Sequence, residues 1–307
     1  MRLLPIMMVL QACSIVLVDE PCDTGPGLVD DDTGAPAELR FRAVGTGATH
    51  TCGIRDTGEL LCWGLNDDGQ LDVPAGAFTQ LTVGHAHACA LDADGAAQCW
   101  GRNDQSQADL SGIFVAVSAG GAHTCGLDAE RQITCVGRND EGQLEAPEGR
   151  FQQVAAGATH TCGVTDPDGD GPPSLVCWGG LSSDGVGRSI VRSVISGTDW
   201  SCAVLDDAEE AVSCVGESGA GQHAVPSGLD LSTAVAGARH GCGLNDAGVS
   251  ECWGADDAGQ LGAPDEAFLA LGSGPTSLHT CGIVDDGGDD DGPVQCWGLD
   301  AENQLTP

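Results

Sequence analysis

Apolar and polar positions alternate in short runs along this chain, and nowhere do apolar residues recur at the interval of an amphipathic helix. Phe78 to Val83 alternates as a half-buried strand, His87 to Leu91 reads as a second, and Ala97 to Trp100 as a third. Asp92-Ala93-Asp94-Gly95 supplies the turn between the last two, because aspartate satisfies turn backbone locally and glycine accepts a left-handed conformation. A shorter strand around the Gln-Leu pair that closes each unit is expected to complete a four-stranded antiparallel blade.

The unit recurs. Setting aside Cys13 and Cys22, fourteen cysteines fall into seven successive pairs, Cys52 with Cys62, Cys89 with Cys99, Cys125 with Cys135, Cys162 with Cys177, Cys202 with Cys214, Cys242 with Cys252 and Cys281 with Cys296. The first members recur every 36 to 40 residues, a period that marks a solenoid or propeller. All five phenylalanines stand 11 to 13 residues before a first cysteine, with Ile190 read into that slot in repeat five. Histidine stands two residues before the first cysteine in six repeats, and Trp200 replaces it in repeat five. Tryptophan follows the second cysteine in five repeats, and Gln70-Leu71, Gln143-Leu144, Gln260-Leu261 and Gln304-Leu305 close four of them. The cysteine spacing of 10 grows to 15 in repeats four and seven and to 12 in repeat five, always at the hairpin turn, where a loop absorbs length that a strand cannot. The fold class that follows is all-β: a seven-bladed β-propeller over residues 38–307 with one disulfide per blade.

Charge and cysteine content add a location. A formal charge of −35, from 46 acidic against 11 basic residues, all of them arginine, repels nucleic acid and anionic lipid and favours cations and basic partners. Sixteen cysteines point to an oxidising compartment. The N-terminus agrees: Arg2 precedes the apolar run Leu3 to Leu10, and Leu10-Gln11-Ala12-Cys13 resembles the lipobox at which bacterial lipoprotein signals are cut and the cysteine lipidated. Residues 1–18 are read as this signal, with cleavage before Cys13, and the acidic stretch 19–37, containing proline and glycine, as a flexible tether. The expected location is the cell envelope, anchored by lipid at the outer membrane or cell surface, or else periplasmic or secreted.

The Gly-x-x-His turn, the Asp-Gly hairpin tip, the Cys-Trp-Gly strand end and the following Asn-Asp-x-Gly-Gln-Leu, clearest over residues 44–75, resemble the regulator of chromosome condensation repeat. The resemblance covers about 270 residues in seven copies and looks closest to cysteine-bearing versions in bacterial envelope proteins. It implies a propeller that acts by protein contact through loops on one face, as in a nuclear exchange factor for a small GTPase and a secreted inhibitor of β-lactamases.

Each cysteine pair sits on two neighbouring antiparallel strands, close enough for a disulfide, and all seven are read as such. Closing a loop of about 11 residues stabilises by roughly 2.5–3 kcal/mol in the chain-entropy model. The competing reading is a zinc set made of His-x-Cys plus the partner-strand cysteine; Trp200 in the histidine slot beside two retained cysteines argues for packing instead. The histidines are expected to bond backbone near the inner turns.

No nucleophile elbow or phosphate-binding glycine loop is present, so no catalytic residue is assigned and a binding role is expected. Two features are candidates for it. The loops after each Trp-Gly carry Asp67, Asp68, Asp104, Asp140, Glu141, Asp256, Asp257, Asp300 and Glu302, either an acidic ring for a basic partner or simple turn chemistry. The enlarged hairpins of repeats four and seven carry Asp166, Asp168, Asp170, Asp289 and Asp291, candidate calcium ligands, although Cys177 stands where an EF-hand-like loop needs its bidentate glutamate. The sequence therefore reads as a monomeric, non-enzymatic interaction scaffold for a protein or cell-wall component, with no cofactor other than a possible calcium ion. The alternatives are a calcium-dependent structural envelope protein and, by fold analogy, an enzyme inhibitor or exchange factor.

Overall fold

Seven hairpin-plus-strand units follow one another from Leu39 to the C-terminus in the computed structural model, which describes residues 39–166, 172–184, 190–206, 212–288 and 290–307. The signal and tether read over residues 1–37, with Cys13, lie outside them. Blade one is β1 (Phe41–Thr46), β2 (His50–Arg55) and β3 (Leu60–Gly64), and blade two is β4 (Phe78–Val83), β5 (His87–Asp92) and β6 (Ala97–Gly101). Blade three is β7 (Ala116–Ala119), β8 (His123–Leu127) and β9 (Ile133–Gly137), and blade four is β10 (Phe151–Ala156), β11 (His160–Thr165) and β12 (Leu175–Gly179). Blade five is β13 (Val191–Ser196), β14 (Trp200–Leu205) and β15 (Val212–Gly216), and blade six is β16 (Leu229–Ala236), β17 (His240–Asn245) and β18 (Ser250–Gly254). Blade seven is β19 (Phe268–Gly272), β20 (His279–Val284) and β21 (Val294–Gly298). Each blade is an antiparallel sheet in sequence order.

Among the described residues the blades have three strands, not the four expected. The Gln-Leu segment is a turn because side chains take the backbone groups that a ladder would need. In blade one the Gln70 Oε1 accepts from the Asp68 amide at 2.8 Å, and the Asn66 Oδ1 accepts from the Leu71 amide at 2.8 Å. With these amides capped locally, no row of donors is left to pair with β3.

The first strands of successive blades touch in a closed ring, β1 to β4 and onward to β19, which returns to β1. They line a central cavity of about 270 Å³, walled by small residues such as Gly45, Ser118, Ala156 and Gly272. The core is divided among the interfaces between blades. Cys52 and Ile54 of blade one pack on Phe78, Ala88 and Trp100 of blade two, and Phe41 and Trp63 pack on Ile283 of blade seven. The aromatic slots are thus buried packing positions, with one change of register: in repeat five Val191, 1% exposed, fills the slot read as Ile190, which is 44% exposed. Val191 pairs with Leu205 as Phe41 pairs with Arg55, and one residue earlier points the other way.

Ring closure reuses the contacts between consecutive blades. The Phe78 amide donates to Gly58 O at 2.8 Å across blades one and two, and the Phe41 amide donates to Gly292 O at 2.8 Å across blades seven and one. Trp100 Nε1 donates to the preceding blade's Gln70 O at 2.9 Å, and Trp63 Nε1 donates to Gln304 O at 2.8 Å, so the last residues of the chain cap its first blade. All seven cysteine pairs are disulfides between directly opposed residues, with Cα separations of 4.0 to 4.1 Å.

Candidate functional site

The loops after β3, β6, β9, β18 and β21 are held at one end of the ring by a repeated backbone bond to the residue just before the histidine of the same blade. Leu65 N donates to Thr49 O at 2.9 Å, Arg102 N to Ala86 O and Arg138 N to Ala122 O at 2.8 Å, Ala255 N to Arg239 O at 2.9 Å and Leu299 N to Leu278 O at 3.0 Å. Gly101, at φ 91°, makes this bend in blade two: a Cβ there would lie 2.7 Å from Ala86 O. The turns are linked in their own sequence, Ala48 N to His85 O, His85 N to Gly120 O and Gly121 N to Gly157 O. All nine acidic candidates are exposed on this loop face.

They divide into three groups. Asp256 and Asp300 hold the turn itself, accepting from Leu261 N at 3.0 Å and Leu305 N at 3.1 Å, the position that Asn66, Asn103 and Asn139 take in other blades. Asp104, Asp140 and Asp257 pair with Arg102, Arg138 and Arg239 at 2.6, 2.7 and 3.4 Å. Asp67, Asp68, Glu141 and Glu302 make no side-chain hydrogen bond or ion pair among the described residues, and Asp68 lies near enough to His85 and Arg102 to favour their charged forms. Turn chemistry thus accounts for two of the nine, ion pairs for three, and four are left for solvent or a partner.

Beneath this face lies a buried polar belt. The imidazole Nε2 atoms of His87, His123, His160, His240 and His279 lie 2.8 to 2.9 Å from Thr124, Thr161, Ser201, Thr280 and Thr51 on the next blade, hydroxyls rather than the backbone groups expected. Thr51, Thr124 and Thr161 give their own proton to Gln304 O, Gln107 O and Gln143 O, so the imidazole must be the donor, in the neutral Nε2–H form. Loss of water around the ring pushes the pKa of His87 and His279 down to about 3 and of His50, His123, His160 and His240 to about 4. The two exceptions are explained by the neighbouring blade. Trp200 faces a blade with Gly241 in place of threonine and donates instead to Ala238 O at 3.0 Å. His50 faces Ala88, and neither ring nitrogen has a partner. Gly157 precedes its histidine because a Cβ there would meet the His160 ring at 2.1 Å.

The sequence pattern missed two members of the glutamine set. Gln107 and Gln222 occupy the same buried place as Gln70, Gln143, Gln260 and Gln304, but Ala108 and His223 follow them instead of leucine. The informative signal is the glutamine alone, two residues after the amide its Oε1 accepts.

At the other end, Asp166 lies 3.8 Å from both Arg131 and Arg150, while Asp168 and Asp170 fall outside the described residues. In the blade-seven hairpin Arg40 donates to Asp291 at 2.5 Å and to Asp286 at 2.6 Å; Asp289 falls outside. Among the described residues no three His, Cys, Asp or Glu side chains converge as a metal site. The zinc reading of His-x-Cys fails because every sulfur in it is in a disulfide.

Residues 41–70, 78–107 and 114–143 match the model of the regulator of chromosome condensation (RCC1) repeat. Among solved structures, the ectodomain of the receptor kinase CR4 from Physcomitrella patens is similar at TM-score 0.67 and 25% identity, over 85% of this chain and 74% of that one. The CRINKLY WD40 ectodomain of the Arabidopsis thaliana receptor kinase ACR4 is similar at TM-score 0.65 and 23% identity, over 87% and 98%. Prp20p from Saccharomyces cerevisiae, described with its binding to Gsp1p and histones, is similar at TM-score 0.58 and 16% identity, over 83% and 81%. No curated protein matches the chain in sequence. Three repeats match the family's own model and the other four form the same three-stranded blade, so this chain carries regulator of chromosome condensation repeats in three of its seven blades and is similar to propellers of that type.

Proposed function

We propose that this propeller is a non-enzymatic binding module of the bacterial cell envelope that docks a basic protein or cell-wall component through its loop face. The observation that carries the reading is the exposed acidic set on that face, of which Asp67, Asp68, Glu141 and Glu302 make no side-chain hydrogen bond or ion pair among the described residues. Family members of this propeller type are binding or regulatory folds. The acidic field, from a charge of −35, steers a basic partner toward the protein and weakens with salt. Seven disulfides support export, because they persist in an oxidising compartment. The lipobox at Cys13 supports lipid anchoring, with residues 19–37 as the tether.

Tetralysine amide is the probe. At low salt the D67N/D68N/E141Q/E302Q variant should bind it about fivefold more weakly than the parent chain, as expected for losing roughly 1 kcal/mol of exposed charge interaction. Equal affinity would refute docking by this face. Peptide mapping of the protein from its host, without reduction, tests location: a lipidated Cys13 supports anchoring, and an intact Met1 with free thiols sinks export.

A further inference from the structure

Repeats two and three depart from the other five at neighbouring places on the loop face. The residue after the Trp-Gly or Val-Gly strand end is Leu65, Gly180, Glu217, Ala255 or Leu299 elsewhere, but Arg102 and Arg138 here. The first turn residue after the glycine is Ala48 in repeat one and Ala158 in repeat four, but His85 in repeat two. Blades with leucine or alanine at these places form the same three-stranded sheet, so the ring does not require the two guanidiniums or the imidazole. All three border one pocket of about 360 Å³ between blades two and three, with Gly121 in its lining.

The charges are arranged to hold the arginines. Arg102 gives Nε and one terminal nitrogen to Asp104 at 2.9 and 2.6 Å, and Arg138 gives Nε to Asp140 at 2.7 Å. A guanidinium has five N–H donors, and neither arginine makes another side-chain hydrogen bond among the described residues, with Asp68 adding only a longer-range attraction at Arg102. Each aspartate therefore fixes a guanidinium plane and leaves its far edge for an anion. Both arginines are close to half exposed, so a ligand reaches that edge without breaking the pairs.

We infer that this pocket binds one carboxylate of the docked partner and so sets the partner's register on the loop face, an inference that rests on the docking role proposed above. A carboxylate matches the planar fork of a guanidinium. The surrounding acidic field disfavours a more highly charged anion, so the group is a single carboxylate on a partner otherwise neutral or basic.

The test titrates the full oxidised chain at low salt with acetyl-Lys-Glu-Lys-amide, its Gln counterpart and methyl glucuronide, following the Nε–H resonances of Arg102 and Arg138. The Glu peptide should bind about fivefold tighter than the Gln peptide, the increment of one added charge-assisted contact. The difference should vanish in R102L/R138L, which installs the residue that repeats one and seven carry; R138A alone serves should the double variant not fold. Resonance shifts with the Glu peptide alone assign a protein carboxylate, and shifts with methyl glucuronide a saccharide one. Equal binding of both peptides, or a Glu preference that survives the arginine variants, overturns the pocket while the acidic-face reading stands. Failure of both peptides to bind overturns both.

Discussion

Acid should unfold this protein well above the pH at which its carboxylates titrate, because the interfaces between blades hold six neutral histidines. Each folded pKa lies near 3 or 4 through burial, against about 6.5 in the unfolded chain. A histidine with a depressed folded pKa stays neutral in the fold and takes up a proton on unfolding below pH 6.5. Its contribution is therefore complete above pH 6.5 and is lost as pH falls toward 4 or 3. Between pH 7 and pH 5 the linkage relation gives a loss of about 2 kcal/mol per histidine, or roughly 11 kcal/mol for all six, as much as the whole stability of many domains. Urea midpoints at half-unit steps over this range should fall with a slope approaching five to six protons per molecule by pH 5, roughly 7 kcal/mol per pH unit. Carboxylate protonation relieves self-repulsion and acts in the opposite sense, but mostly below this window. Replacing His123 with Gln should remove about one sixth of the pH dependence. A total loss below about 3 kcal/mol between pH 7 and pH 5, or resonances of these six imidazoles titrating near 6.5 in the folded protein, would refute the neutral buried belt.

The remaining expectations concern the same interfaces. Ala88→Thr supplies the hydroxyl that His50 lacks and should raise stability by about 1 kcal/mol in urea unfolding, whereas a loss would show that the site cannot admit it. Serine at both Cys125 and Cys135 should cost roughly 2.5–3 kcal/mol, read from the same unfolding curves under non-reducing conditions. Deleting residues 303–307 leaves Trp63 Nε1 and Thr51 Oγ1 without the Gln304 carbonyl and should cost about 2–5 kcal/mol; hydrogen exchange should then quicken in β1–β3 and β19–β21 before other blades, and uniform quickening would argue against a seam.

Seven units, their boundaries, the disulfide pairs and the buried aromatic slots were legible in the sequence because scarce residues mark each repeat. A cysteine or tryptophan that returns at one period reports a position in the blade, whatever its neighbours are. The loop face was legible too, since loops at equivalent places in a repeat share one side of the ring. Ile190 shows where this reading slips: a slot with no aromatic is known only to within a residue, and a shift of one residue reverses the side chain's direction.

The tertiary structure decided whatever depends on the next blade. Gln70 closes a turn instead of a fourth strand because its side chain caps a nearby amide while its carbonyl receives Trp100, 30 residues on. His50 lacks a partner, and Trp200 stands in for a histidine, because of what residues 88 and 241 are on the following blade. The division of the acidic loops into turn-formers, ion pairs and free carboxylates likewise follows from distances between side chains. A repeat pattern records which residues recur within a unit; the contacts between units, which bury the core and close the ring, are set only once the blades stand side by side.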